Sequence, residues 1–113
     1  MEFESKLFEK NDLLVITIKG NVSREIKDSL QQSLDEALKF EQKIVVLVLK
    51  DLIGVDKIMS RDFTLFQQQL RNKNKSLFLV GLKPQIKFDL DSRGLIRNVE
   101  VKSTAEDIIT SMT

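Results

Sequence analysis

Cysteine, histidine, tryptophan and tyrosine are all missing from the 113 residues, and proline occurs once. Without cysteine there is no disulfide framework, no thiolate nucleophile and no zinc site of the thiolate kind. Without histidine the commonest general base and metal ligand is gone too. No paired-carboxylate constellation takes their place, so the expectation is a protein that is not an enzyme and carries no cofactor. A dominant charge is also absent: 18 basic against 17 acidic residues leave +1, and no global field steers the chain toward nucleic acid or membrane lipid. No apolar run approaches the ~18 residues of a membrane span, and the opening MEFESKLFEK is too charged for a signal peptide. A soluble, cytoplasmic protein is expected, with no membrane insertion and no direct nucleic-acid contact. The four glycines are isolated, with no G-x-G-x-x-G or Walker spacing to cradle phosphate. No linker, repeat or low-complexity tract divides the chain, which reads as one domain over 1–113.

The stretch 43–70, KIVVLVLKDLIGVDKIMSRDFTLFQQQL, organises what is there. Residues 44–49 are an unbroken apolar run, whereas a strand with one wet face alternates. That run is expected to be covered on both faces. After a turn over 51–56 the period changes, and Met59, Phe63, Phe66 and Leu70 fall at i, i+4, i+7 and i+11, one helical stripe. A buried strand thus feeds a helix through a short loop, and in open α/β sheets such loops are where ligands and partners dock. Any working site is expected at 56–61.

Upstream, residues 3–9 have weak strand character, and the polar turn at Lys10, Asn11 and Asp12 leads into LLVITIK, which suggests an antiparallel hairpin. Gly20-Asn21 is expected to end that strand and Ser23 to cap a helix carrying Ile26, Leu30, Leu34, Ala37 and Leu38 to about Phe40. Downstream, SLFLVG over 76–81 reads as a strand, Pro84 opens a short helix that Gly94 stops, and 95–101 reads as a last, more exposed strand. Ser103 and Glu106 have capping-box spacing ahead of a terminal helix with Ile108, Ile109 and Met112. Alternating strands and helices imply a mainly parallel sheet with right-handed crossovers.

Taken together, GNVSREIKDSLQQSLDEAL, IVVLVLKDLIGVD, LFLVGLKPQIKFDLDSRGLIRNVEV and a closing helix resemble the STAS domains typified by anti-sigma factor antagonists. The likeness runs from Leu13 to Met112. It rests on the order and spacing of the motifs, including Pro84 ten residues ahead of the Gly94-Leu95 pair. The resemblance implies an α/β fold, a STAS-like four- to five-stranded mainly parallel sheet with an N-terminal antiparallel strand, packed by about four helices. It also implies a non-enzymatic protein-binding module in a partner-switching cascade, with an anti-sigma factor, a kinase-like protein or another regulator as partner. The sequence leaves the partner's identity and the oligomeric state open.

In the antagonists the strand-to-helix loop carries Asp-Ser-Ser-Gly and is phosphorylated on its first Ser. Ungapped counting puts Asp56-Lys57-Ile58-Met59 in that slot, so the acceptor place holds Lys57. A shifted alignment puts Ser60 there instead, flanked by Met59 and Arg61. The ungapped alignment is preferred, and phosphorylation at the usual position is then not expected. Phosphate at a helix N-terminus is favoured by exposed N–H groups and the macrodipole, and a lysine reverses that charge. Lys57 is expected to meet an acidic or phosphate-bearing surface.

The expected partner-binding residues are Asn21, Ser23, Arg24, Asp56, Lys57, Ser60 and Arg61. Each has a plainer reading: Asp56 or Ser60 can be a helix cap, and Lys57 and Arg61 can be solvated cations one turn apart. The alternative function is a STAS-type sensor that binds a nucleotide or small anion at the helix N-terminus near 56–61. Asp89-x-Asp91 has the spacing of a hard-cation pair, but with no further acidic cluster no metal site is expected. Phe63 and Phe66 read as core.

Overall fold

The computed structural model describes residues 3–72 and 74–102. The opening hairpin joins β1 (Glu4–Lys10) to β2 (Leu13–Val22) antiparallel, with Lys10 opposite Leu13. Asn11 takes φ 55° in the turn between them, a left-handed conformation that asparagine tolerates better than most residues. A short 3-10 turn, Arg24–Ile26, leads into α1 (Lys27–Ala37), whose Leu30, Leu34 and Ala37 are buried while Asp28, Gln31 and Gln32 face water. Next come β3 (Ile44–Val48), β4 (Leu52–Val55) and α2 (Ser60–Arg71). The rest is β5 (Ser76–Val80), α3 (Pro84–Ser92) and the two-residue β6 (Val101–Lys102). The sheet order is β1-β2-β3-β5-β6 with β4 paired to β2, and every pairing except β1 with β2 is parallel.

The expected central strand lies where the unbroken apolar run predicts, between β2 and β5. Alternate residues of the central strands divide between the faces. Leu14, Ile16, Ile18, Val45, Leu47, Leu77 and Leu79 join Leu30, Leu34, Met59, Phe63, Phe66 and Leu70 in the main core. Val15, Val46 and Val80 form a smaller cluster on the other face, with Leu13, Ile44, Val48 and Phe78 partly buried against it. The helical stripe of α2 is fully buried, and Phe63 and Phe66 are core as expected.

Four expectations need correction. The turn expected over 51–56 is mostly the strand β4, and β2 does not end at Gly20 but runs on to Val22 to pair with it. Two elements that look like strand end and turn are therefore each other's ladder partners. Between Gly20 and Asn21 the register shifts: Gly20 faces Leu52 and Asn21 faces Gly54, leaving Ile53 unopposed as a bulge residue turned to solvent. With β4 and β6 the sheet has six strands, one more than the upper expectation, and three α-helices lie among the described residues.

The strand expected over 95–101 is also different. Leu95 and Ile96 are buried, Asn98–Glu100 is a 3-10 turn, and only Val101–Lys102 pairs with β5. The Leu95 N–H donates to the Leu90 carbonyl in closing α3, and the Leu95 carbonyl accepts from Gln67 Nε2 at 2.8 Å, so neither is left for a ladder. The terminal helix expected after Ser103 lies outside the described residues.

Gly81 follows β5 with φ 81°, and a Cβ there would lie 2.9 Å from Lys50 Cβ and 3.2 Å from the Lys50 backbone nitrogen. The chain crosses the end of β3 at this point, and neither the torsion nor the space suits a side chain. Gly81→Ala is expected to cost about 1–3 kcal/mol, read as a lower midpoint in urea with an unchanged slope.

Candidate functional site

β2 and β4 end side by side, with Val22 opposite Val55. Ser23 and Arg24 follow the first strand and Asp56 and Lys57 follow the second, so the two exit loops share one end of the parallel strands. Asp56 ties them together twice. Its backbone N–H donates to the Val22 carbonyl at 2.9 Å, and its carboxylate oxygen accepts from Asn21 Nδ2 at 2.9 Å. With φ −62° and ψ 147° Asp56 is still extended, and its side chain makes no cap hydrogen bond. Asp56 thus fixes the loop to β2 and does not cap the helix.

Beyond Asp56 the chain makes one 3-10 turn, Lys57–Met59, before α2 begins at Ser60. Met59 is buried and pins the turn to the core, while Lys57 and Ile58, the two residues before it, are exposed. Ser60 is therefore the first residue of the helix and does not cap it. Its hydroxyl accepts from Arg93 Nη2 at 2.9 Å. Ser23 likewise makes no side-chain cap, although its carbonyl accepts from the Ile26 N–H.

Arg93 is the residue that sequence reasoning missed. It stands just past α3, with Nη1 donating to the Val55 carbonyl at 2.8 Å and to Asp89 at 3.0 Å, and Nη2 donating to Ser60. One planar fork thus joins the end of β4, the start of α2 and the end of α3, a geometry that a lysine ammonium does not reproduce. The i,i+4 spacing of Asp89 and Arg93 is visible in the sequence as a helix-surface pair, but nothing local indicates the reach to Val55 and Ser60. Arg93→Ala is expected to cost about 1–3 kcal/mol, since charge-assisted bonds to a backbone carbonyl and a hydroxyl are lost. Amide hydrogen exchange at 55–61 is expected to accelerate more than exchange in β3, and uniform acceleration would remove the local role.

Asn21 and Asp56 are thus bonded directly, and Ser60 is joined to the corner through Arg93. Ser23, Arg24, Lys57 and Arg61 reach the same end of the sheet by the course of the backbone, and no described side chain pairs with Lys57 or Arg61. At the opening of α2 these two cations stand beside the carboxylates of Asp56 and the first-turn Asp62, so this end of the helix carries charges of both signs. Asp89 and Asp91 are each engaged by a neighbour, Arg93 and Asn98 respectively. Among the described residues no group of three or more metal-ligating side chains comes together. A groove of about 390 Å³ runs between α1 and α2, lined by Leu34, Leu65, Phe66 and others, but by none of the seven candidate residues. No helix among the described residues is long and apolar enough to cross a membrane.

No curated protein matches the chain by sequence. Its fold does match solved structures. An anti-sigma factor antagonist from Mycobacterium paratuberculosis superposes with TM-score 0.79 at 14% identity, over 97% of this chain and 93% of that one. An RsbS variant from Moorella thermoacetica gives TM-score 0.72 at 18% identity, over 88% and 86%. Bacillus SpoIIAA in its phosphorylated form gives 0.65 at 12% identity, over 99% and 100%. The STAS domain profile matches residues 6–108, nearly the whole sequence, and with the sheet order and helices described above this places the chain in the STAS domain family.

Proposed function

We propose that the chain acts as a single non-enzymatic STAS module of the partner-switching kind, binding a regulatory protein such as an anti-sigma factor or a kinase-like relative of one. Its contact surface is the corner built from Asn21, Ser23, Arg24, Asp56, Lys57, Ser60 and Arg61. The observation that carries this reading is the exposed Lys57, directly after an Asp56 that is anchored to β2, at the opening of α2. An ammonium group there has no hydroxyl to accept a phosphoryl group, and its charge is opposite to a phosphoserine's. The one hydroxyl near the start of the helix, on Ser60, is half-buried and already bonded to Arg93, which supports a positioning role for it. The partner is therefore held without a phosphorylation cycle at this place.

The test is a pull-down from native lysate followed by affinity measurement on the purified partner. Lys57→Glu is expected to weaken binding by about tenfold or more, the size typical of losing one favourable interfacial charge and gaining a repulsive one. Lys57→Ser is expected to fall between Lys57→Glu and the unaltered chain. Equal affinities for all three would remove Lys57 from the interface.

A further inference from the structure

The face of the sheet turned away from the helices is apolar as well. Val15, Val46 and Val80 form its cluster, with partly buried strand residues around them, and no described helix contributes to it. The topology explains why. β2, β3, β5 and β6 succeed one another across the sheet in chain order, so right-handed crossovers place α1, α2 and α3 on one side. Their buried Leu30, Phe63 and Leu90 accordingly all belong to the main core. Parallel strands with two apolar faces need cover on both.

Burial across this second face is graded. Val80 on β5 is 6% exposed, Val46 on β3 1% and Val15 on β2 8%, whereas Phe8 on β1, in one cross-strand row with Val15 and Val46, is 50% exposed. Neighbours within a single sheet layer flank a side chain but leave its tip to water, so a valine buried as far as Val46 has something above it. The cover spans β5, β3 and β2 and ends before β1.

Residues 103–113, STAEDIITSMT, suit that space in starting point, pattern and size. β6 ends at Lys102, opposite Val80, on the edge next to β5. Directly after it, Ser103 and Glu106 have the capping-box spacing. Ala105, Ile108, Ile109 and Met112 then fall at i, i+3, i+4 and i+7, one apolar stripe, with Glu106, Asp107, Thr110 and Ser111 off it. Wound as a helix the segment is roughly 16 Å long and ~10 Å wide. That is the length of a five-residue strand such as β3 and the width of about two strand spacings.

We infer that the chain's own residues 103–113 occupy this face as an amphipathic helix running back along β3, with Ala105 toward Val80, Ile108 and Ile109 over Val46, and Met112 toward Ile44. The inference stands apart from the interaction role proposed above. With this face taken by its own chain, the sheet keeps no bare apolar face, and a partner is left the strand ends and loops.

The experiment is a methyl NOESY spectrum of the full chain, labelled at isoleucine, leucine, valine and methionine. Cross-peaks are expected from Ile108 and Ile109 to Val46 and Val80, and from Met112 to Ile44. In a sample mixing labelled with unlabelled chains, a filtered spectrum is expected to show none of them between molecules. Ile109→Asp, on the stripe, is expected to lower the melting temperature by about 5 °C or more beyond Thr110→Asp, its neighbour off the stripe, and to raise binding of an apolar dye. Cross-peaks from Ile108 and Ile109 to Leu34 and Leu65 would put the segment in the α1–α2 groove and overturn the inference. No cross-peaks from 105–112 to the sheet, or equal melting temperatures for the two variants, would overturn it as well. Cross-peaks that persist between molecules in the mixed sample would make a second copy's segment the occupant, with the same consequence.

Discussion

Leu47→Asp is expected to leave no soluble, cooperatively folded protein. Leu47 is wholly buried in the central strand, between Ile16 of β2 and Leu79 of β5, on the face covered by the two long helices. Truncating a buried leucine costs about 2–5 kcal/mol, and an unpaired carboxylate in that place adds several more unless it stays protonated. A chain of this size has about 5–15 kcal/mol of total stability, so the two effects together remove most or all of it. Val46→Asp faces the smaller cluster of Val15 and Val80 and is expected to be severe as well, because Val46 is only 1% exposed. Solubility on expression and a melting curve by circular dichroism decide the matter. A soluble variant with unaltered melting would contradict the account of a strand buried on both faces.

The second large effect is expected from Arg71 and Glu100. Arg71, at the end of α2, meets Glu100 in the final 3-10 turn through two parallel bonds, Nε donating to Oε2 at 2.6 Å and Nη2 donating to Oε1. The side chains are 16% and 12% exposed, so neither charge can fall back on full hydration. Arg71→Ala leaves the Glu100 carboxylate nearly buried and unpaired, which costs about 3–5 kcal/mol. Replacing both partners with apolar residues of similar volume, Arg71→Met with Glu100→Leu, is expected to recover most of that loss. Chemical denaturation with urea measures both, and a change below about 0.5 kcal/mol for Arg71→Ala would show that the pair behaves as an exposed one.

Where the sequence was legible, it was because one periodicity dominated. The run at residues 44–49 and the stripe of Met59, Phe63, Phe66 and Leu70 each have one reading, and both are where that reading puts them. Pro84 opens α3 and Gly94, with φ 70°, ends it, since backbone chemistry alone dictates both. The failures have a common physical cause: they are decided by partners distant in the chain. Leu52–Val55 contains a glycine and follows Lys50 and Asp51, so locally it resembles a turn, and only the continuation of β2 past Gly20 makes it a strand. The segment from Leu95 onward has strand-like composition, yet its backbone groups are taken by Leu90 and by the buried Gln67. Gln67 is itself hidden in a run of three glutamines whose next two members are exposed.

The candidate site divides along the same line. Asp56 and Asn21 were both legible as members of one surface, and their hydrogen bond joins them. The capping roles considered for Asp56 and Ser23 gave way because the chain makes a 3-10 turn between each of them and its helix, while Ser60 lies one place too late, already the first residue of α2. Arg93 was invisible as a site residue because its purpose depends on Val55 and Ser60, 38 and 33 positions away.

The protein partner is proposed to dock on the corner where β2 and β4 end and α2 begins. Hydrogen–deuterium exchange of the full chain, alone and with the partner recovered by pull-down, tests it most directly. Slowed exchange is expected at 21–24 and 56–61, with α1 and the outer strand β1 unchanged. Protection confined to the α1–α2 groove or to β1, with 56–61 exchanging as in the free protein, would contradict it.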